Sequence, residues 1–120
     1  PETALGLGRA YEQTGNYTSA LAVFQKAAER YPDDENISYH LATNYGQLNR
    51  QGESHYYFGI YFQKKKKTES ALFHYREALK YATPGSPRAL DIQKQIDALS
   101  RKDPPKAAGP PPDSSRRSRF

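Results

Sequence analysis

The chain has 120 residues, enough for one domain, and contains neither Cys nor Met. The missing cysteine excludes disulfides and thiolate metal sites, and no apolar run nears the roughly 18 residues that a membrane-spanning helix needs. The net charge of +5 is uneven: residues 101–120 hold six Lys/Arg against two Asp/Glu, residues 1–100 twelve against eleven, so the basicity belongs to the tail and does not mark the body as nucleic-acid-binding. Hydrophobic content is 36%, much of it tyrosine, which suits a thin stack of helices with wet outer faces better than a deep core. A sequence that opens on Pro1 and lacks Met reads as a fragment or a processed chain.

Residues 1–34 carry Leu7-Gly8, Tyr11, Gly15, Tyr17, Ala20, Phe24, Ala27 and Pro32, and residues 52–85 carry Phe58-Gly59, Phe62, Ala71, Tyr75, Ala78 and Pro84. A shift of 51 superposes most of the first set on the second, so an internal repeat is expected. The first set describes two helices. Ala4, Leu7, Gly8 and Tyr11 share one face of a helix ended by Gly15-Asn16, residues that adopt the left-handed conformation at low cost. A second helix starts at Tyr17 or Thr18 and turns Ala20, Leu21, Phe24, Ala27 and Ala28 inward, until Pro32 stops it. Gly8, Ala20 and Ala27 are small enough for two helix axes to approach, with Tyr11 and Phe24 filling the gap.

A third helix is expected over about 36–48, with Ile37, Leu41, Ala42, Tyr45 and Leu48 on one side. The helix over about 52–63 has two readings: Ser54 and Phe58 fit the second helix of a repeat begun at Glu35, whereas Phe58-Gly59 and Phe62 fit the first helix of the next repeat. Both roles are expected of it. A fifth helix covers about 68–82. Ser86-Pro87 is an N-cap followed by proline at the first helical position, opening a last helix over about 87–101. Its narrow stripe of Ala89, Ile92, Ile96 and Leu99 describes a capping helix that closes an open stack. The expectation is therefore an all-α superhelix of antiparallel helix pairs, about six helices over residues 1–101, followed over 102–120 by a disordered basic tail rich in Pro, Ser and Arg.

Ala4, Leu7-Gly8, Tyr11, Ala20, Phe24 and Pro32 together resemble the tetratricopeptide repeat signature, lacking only its Trp. The resemblance implies a superhelix whose first helices line a concave groove that holds an extended or helical peptide. A narrower resemblance rests on Gly52 to Phe62 followed by Ala71 to Lys80. This stretch is similar to the C-terminal repeat region of bacterial periplasmic zinc metalloproteases of the β-barrel-assembly-enhancing type, and the half-repeat slip is similar too. That resemblance implies a non-catalytic appendage in the periplasm that docks a protease domain on outer-membrane assembly factors. The His-Glu-x-x-His zinc helix of such enzymes does not occur in these 120 residues.

By the repeat pattern, the groove positions are Glu2, Leu5, Arg9, Glu12 and Gln13 on the first helix and Asn36, Tyr39, Thr43 and Gln47 on the third. Tyr56, Ile60 and Gln63 join them if the fourth helix shares that surface. Arg9 suits a carboxylate, and Tyr39 and Tyr56 offer flat area with a polar tip. Each tyrosine taken singly is better explained by packing between helices, and the groove reading rests on the set. The chaperone-binding subtype of the family uses a Lys/Asn/Arg clamp where this chain has Leu5, Arg9 and His40, so that subtype is rejected.

Lys64-Lys65-Lys66-Lys67 reads first as a solvated turn and second as a contact for anionic lipid. Arg116-Arg117-Ser118-Arg119 reads as a solubilising tail before a nucleic-acid contact. His40, His55 and His74 stand on separate helices without metal-ligand spacing, and surface or interhelix hydrogen bonding is expected of them. Ser54 and His55 are adjacent, which on a helix turns them apart, and no phosphate loop or nucleophile–base pair appears. No cofactor, metal or catalytic role is expected. The expected partner is a protein or peptide, with an intramolecular protease domain as one form of it, membrane contact peripheral at most and nucleic acid disfavoured.

Overall fold

The computed structural model describes residues 2–102, which form six helices: α1 (Glu2–Gln13), α2 (Tyr17–Arg30), α3 (Glu35–Gln47), α4 (Gln51–Lys64), α5 (Thr68–Tyr81) and α6 (Pro87–Lys102). The expected basic tail lies outside the described residues. The helices stack into an elongated body of 61 × 32 × 21 Å, longer and thinner than a globule of this mass.

One turn is used three times. After α1, Gly15 takes φ +78°, and the Asn16 N–H donates to Tyr11 O at 2.9 Å. After α3, Asn49 takes φ +61°, and Arg50 N–H donates to Tyr45 O at 2.9 Å. After α4, Lys66 takes φ +63°, and Lys67 N–H donates to Phe62 O at 2.9 Å. A left-handed residue that returns the chain onto the last helical carbonyl is what permits so short an antiparallel reversal. Asn16 also caps α2, its Oδ1 accepting from Ser19 N–H at 3.3 Å, whereas Arg50 and Lys67 offer no side-chain cap. The other two reversals rely on prolines and caps. Asp34 Oδ1 accepts from Asn36 N–H at 2.9 Å, and Ser86 Oγ accepts from Ala89 N–H at 3.2 Å.

Two cores result, and they are the same core. The first is built from Ala20, Leu21, Phe24, Ala27, Ile37, Leu41 and Tyr45. The second is built from Ala71, Leu72, Tyr75, Ala78, Ile92, Ile96 and Leu99. A shift of 51 carries Ala20, Leu21, Phe24 and Ala27 onto Ala71, Leu72, Tyr75 and Ala78, and carries Leu41 and Tyr45 onto Ile92 and Ile96. The duplicated unit is thus three helices long, with α1, α2 and α3 repeated as α4, α5 and α6. The last helix, expected as a cap, stands in the second unit where α3 stands in the first. Each of the largest core side chains, Phe24 and Tyr75, is fully buried, worth roughly 1.5–3 kcal/mol of transfer free energy.

The fourth helix plays both expected parts. Its Ser54 face packs on α3, where Ser54 Oγ donates to Ala42 O at 2.8 Å. A shift of 34 relates Ala42 to Gly8 and Ser54 to Ala20, so α3 and α4 form a repeat of their own. Five residues on, Gly59 packs on α5 against Tyr75. Aromatic contacts complete the joint between the units: Tyr39 meets Phe58 at 6.1 Å and Tyr61 at 5.3 Å, and Tyr45 stacks on Tyr57 at 5.6 Å.

Candidate functional site

The face shared by α1 and α3 is organised around Glu12. The Asn44 amide donates to Glu12 Oε2 at 2.6 Å and to His40 O at 2.7 Å, and His40 Nδ1 lies 2.9 Å from the same carboxylate oxygen. An ionised carboxylate only accepts, so Nδ1 carries the hydrogen. His40 is further fixed by stacking on Phe24, with centroids 4.7 Å apart and planes 7° from parallel. Asn44 is 1% exposed, and its Oδ1 has no hydrogen-bond partner among the described residues. Thr43 Oγ1 donates to His40 O at 3.2 Å. Beside this network runs a cleft of about 260 Å³ lined by Glu12, Gln13, Tyr17, Thr43, Asn44 and Gln47.

Of the positions expected to form a groove, Glu12, Gln13, Thr43 and Gln47 are brought together here. Arg9 and Asn36 are exposed on the same two helices. Leu5 is half-buried and packs against the first core. Tyr39 is 42% exposed but turns to the joint, where it meets Phe58 and Tyr61.

The structure sends Tyr56 elsewhere. Its hydroxyl donates to Asp91 Oδ2 on α6 at 2.8 Å, and the Arg88 guanidinium sits 4.1 Å from its ring centroid. Burial first, and the Asp91 carboxylate second, push its phenol above the ordinary tyrosine range. Ile60 and Gln63 go with it, lining a second cleft of about 390 Å³ with Tyr75, Asp91 and Gln95. The expectation that these three extend one groove from α1 and α3 is therefore corrected: they form the corresponding cleft of the second unit. The correspondence reaches the bonded residue pair, with donor and acceptor exchanged. Gln63 Nε2 donates to Gln95 Oε1 at 3.2 Å where Asn44 donates to Glu12, positions 51 apart in both cases. The Tyr75 hydroxyl donates to Gln63 Oε1 at 2.6 Å. His40, Asn44, Tyr17, Asp91 and Gln95 were not among the expected groove positions, although extending the shift of 51 to α3 and α6 finds Asp91 and Gln95 from His40 and Asn44.

The lysine run is partly engaged. Lys64 Nζ donates to Pro32 O, and Lys65 Nζ lies 3.6 Å from Glu35, so two of the four cations tie the end of α4 to the entrance of α3. The histidines do form interhelix hydrogen bonds: besides His40 with Glu12, His55 Nδ1 and His74 Nδ1 are 3.0 Å apart across α4 and α5. Among the described residues no three His, Cys, Asp or Glu side chains gather as a metal site, and no helix is long and apolar enough to cross a membrane.

A stack of antiparallel helix pairs, closed by tight left-handed turns and bearing polar clefts between non-consecutive helices, defines a helical-repeat protein of the scaffold class. Residues 1–44 match the family model for the tetratricopeptide repeat, a repeat whose role in general is protein–protein interaction, and the helix-pair architecture of the whole described chain agrees with that match. No curated protein matches the chain at a significant level.

Proposed function

We propose that the chain binds an extended segment of a partner protein along the α1–α3 face. The observation that carries this reading is the convergence of Gln13, Thr43 and Gln47 on one cleft beside a carboxylate already held by His40 and Asn44. Glu12 is committed internally, so the lining offers amide and hydroxyl groups, which match the N–H and C=O groups of an extended main chain. Arg9 at the edge adds a cation for a carboxylate on the ligand. Leu5, Glu12, Asn36 and Tyr39 border or support the surface, and Tyr56 belongs to the second cleft, where Lys64 and Asp91 would present both charges to a second segment. A peptide selected against the full chain from a random display library provides the probe. Gln13→Ala with Gln47→Ala should weaken its binding about tenfold, the loss expected for two or three hydrogen bonds. Equal binding by the double variant, for every selected peptide, would sink the proposal.

A narrower reading makes the module the docking appendage of a periplasmic zinc metalloprotease. What supports it is the half-repeat slip, now resolved as a three-helix duplication with α4 shared between repeats. The test is the genomic sequence upstream of the codon for Pro1: a His-Glu-x-x-His domain in the same frame is the expected result, and a frame without one ends this reading.

A further inference from the structure

A hollow of about 330 Å³ lies apart from both clefts, where the start of α4, the end of α5 and the first turns of α6 come together. Ala78, Ala82 and Ile92 form its apolar floor, and Arg50, Arg88 and Tyr81 stand around them. None of its lining residues belongs to α1 or to the last two turns of α6. The duplication shows what opens it. A shift of 51 carries Ala27 and Leu41 onto Ala78 and Ile92, so these floor positions are apolar in both units. The same shift carries Ile37 onto Arg88 and Tyr31 onto Ala82. Ile37 is 1% exposed and Tyr31 packs against the first core, whereas Arg88 is exposed. Two large apolar side chains of the first unit are thus replaced in the second by a cation and a methyl group.

Both cations rest on aromatic rings. The Arg88 guanidinium lies 4.1 Å from the Tyr56 ring centroid and that of Arg50 lies 5.0 Å from the Tyr45 centroid. Tyr57 joins the two rings, 5.0 Å from Tyr56 and 5.6 Å from Tyr45. A guanidinium supported on an aromatic face keeps N–H groups free for an anion. Arg50 Nη2 donates to Glu53 Oε2 at 2.8 Å, an exposed pair of small worth. Arg88 has no ion-pair partner among the described residues. Asp91, one turn along α6, accepts from the Tyr56 hydroxyl and lines the second cleft instead.

We propose that this hollow binds a glutamate side chain of an acidic segment on a partner protein, with Arg88 as the main contact and Arg50 as the second. Cations around an apolar floor suit a side chain that is apolar along its stem and anionic at its tip, and a phosphate has no such stem. A carboxylate also accepts two parallel N–H bonds from one guanidinium. The Tyr81 ring, 59% exposed, offers flat area to the next residue of the segment. The site is separate from the α1–α3 cleft and does not depend on a ligand there.

The experiment is an NMR titration of the isotope-labelled full chain, read at the amides of Gly52 and Tyr81, which border the hollow. The probe is acetyl-Gly-Glu-Leu-Glu-Gly-amide, and its glutamine counterpart is the control. Both amides should shift with the glutamate peptide and stay in place with the glutamine one. Arg88→Gln should weaken binding about fivefold, the loss of one partly exposed charge contact. Arg88→Ile puts the side chain of the first unit into the second, and should abolish binding while the melting temperature holds or rises. No shift at Gly52 and Tyr81, equal shifts with the glutamine peptide, or undiminished affinity in either variant would overturn the proposal. Inorganic phosphate that shifts the same amides at a lower concentration than the peptide would overturn it too, because the hollow would then be an unselective anion site.

Discussion

Gly59 lies under the ring of Tyr75 as Gly8 lies under the ring of Phe24, in each case 16 positions apart in the chain. A Cβ at position 59 would come within 2.7 Å of the Tyr75 ring, and one at position 8 would overlap the Phe24 ring. Both rings are fully buried and have nowhere to move. Alanine would gain up to about 1 kcal/mol as a better helix former than glycine, but overpacking of this kind costs about 1–3 kcal/mol. Gly8→Ala and Gly59→Ala should therefore lower stability by about 1 kcal/mol in urea unfolding. Gly6→Ala, on the same helix as Gly8 but with no described side chain or other helix within 4 Å of the added Cβ, should raise it by a similar amount. Gains at all three positions would show that the rings are not rigid supports.

Lys66 holds the position that Gly15 holds in the first turn, at φ +63°. A side chain in the left-handed region costs roughly 1–2 kcal/mol, and Lys67 next to it supplies no cap for α5 where Asn16 caps α2. Lys66→Gly should stabilise the fold by about 1 kcal/mol, and adding Lys67→Asn should contribute up to about 1 kcal/mol more. Thermal melts of the single and double variants measure this. An unchanged melting temperature for Lys66→Gly would mean that the lysine gains elsewhere what its backbone loses.

Ser54 is 6% exposed and sits in the contact of α4 with α3, with its oxygen on the Ala42 carbonyl. Ser54→Ala keeps the close approach and loses one hydrogen bond, a cost of about 1 kcal/mol. Ser54→Leu forces the two helices apart and should cost about 2 kcal/mol or more. Because this is the joint between the duplicated units, the leucine variant should also broaden the urea transition as the units begin to unfold separately. A sharp, unshifted transition in Ser54→Leu would place the coupling between the units elsewhere.

The helices and the repeat could be read from the sequence because they depend on local signals: small residues at helical spacing, prolines and caps at the ends, and a Gly-Asn turn. The dual role of α4 was readable too, since Ser54 and Gly59 point to opposite faces by helical geometry alone. What the residues did not disclose was which faces meet across the stack. Tyr56 looks like a continuation of the Tyr39 surface until Arg88 and Asp91, more than thirty residues on, are seen to hold it. The Glu12 network was hidden for a similar reason: Asn44 and His40 lie one turn apart on α3, and only the crossing of α1 and α3 shows that a carboxylate joins them. Lys66 misled in the opposite direction, because a lysine run signals charge and nothing in it announces a left-handed backbone.

His55 and His74 share a single hydrogen-bond contact between α4 and α5 and are ringed by Phe58, Phe62, Phe73 and Tyr81. A bond between two imidazoles needs one N–H donor and one lone pair, so it exists only while at least one ring is neutral. Burial first, and His55 second, hold the His74 imidazole below the ordinary histidine range, while Glu77 on the next turn of α5 pulls weakly the other way. A lowered folded-state value means that the unfolded chain binds the proton more readily. The stability from the neutral ring is therefore complete above the unfolded value of about 6.5 and is lost as pH falls below it towards the folded value. The urea midpoint of the wild type should fall between about pH 7.5 and pH 5, and that fall should be smaller in His55→Gln, which removes the second imidazole and leaves an amide able to donate to His74. Parallel pH profiles for the two proteins would show that the pair does not couple α4 to α5, and that the acid sensitivity of the fold originates in its carboxylates.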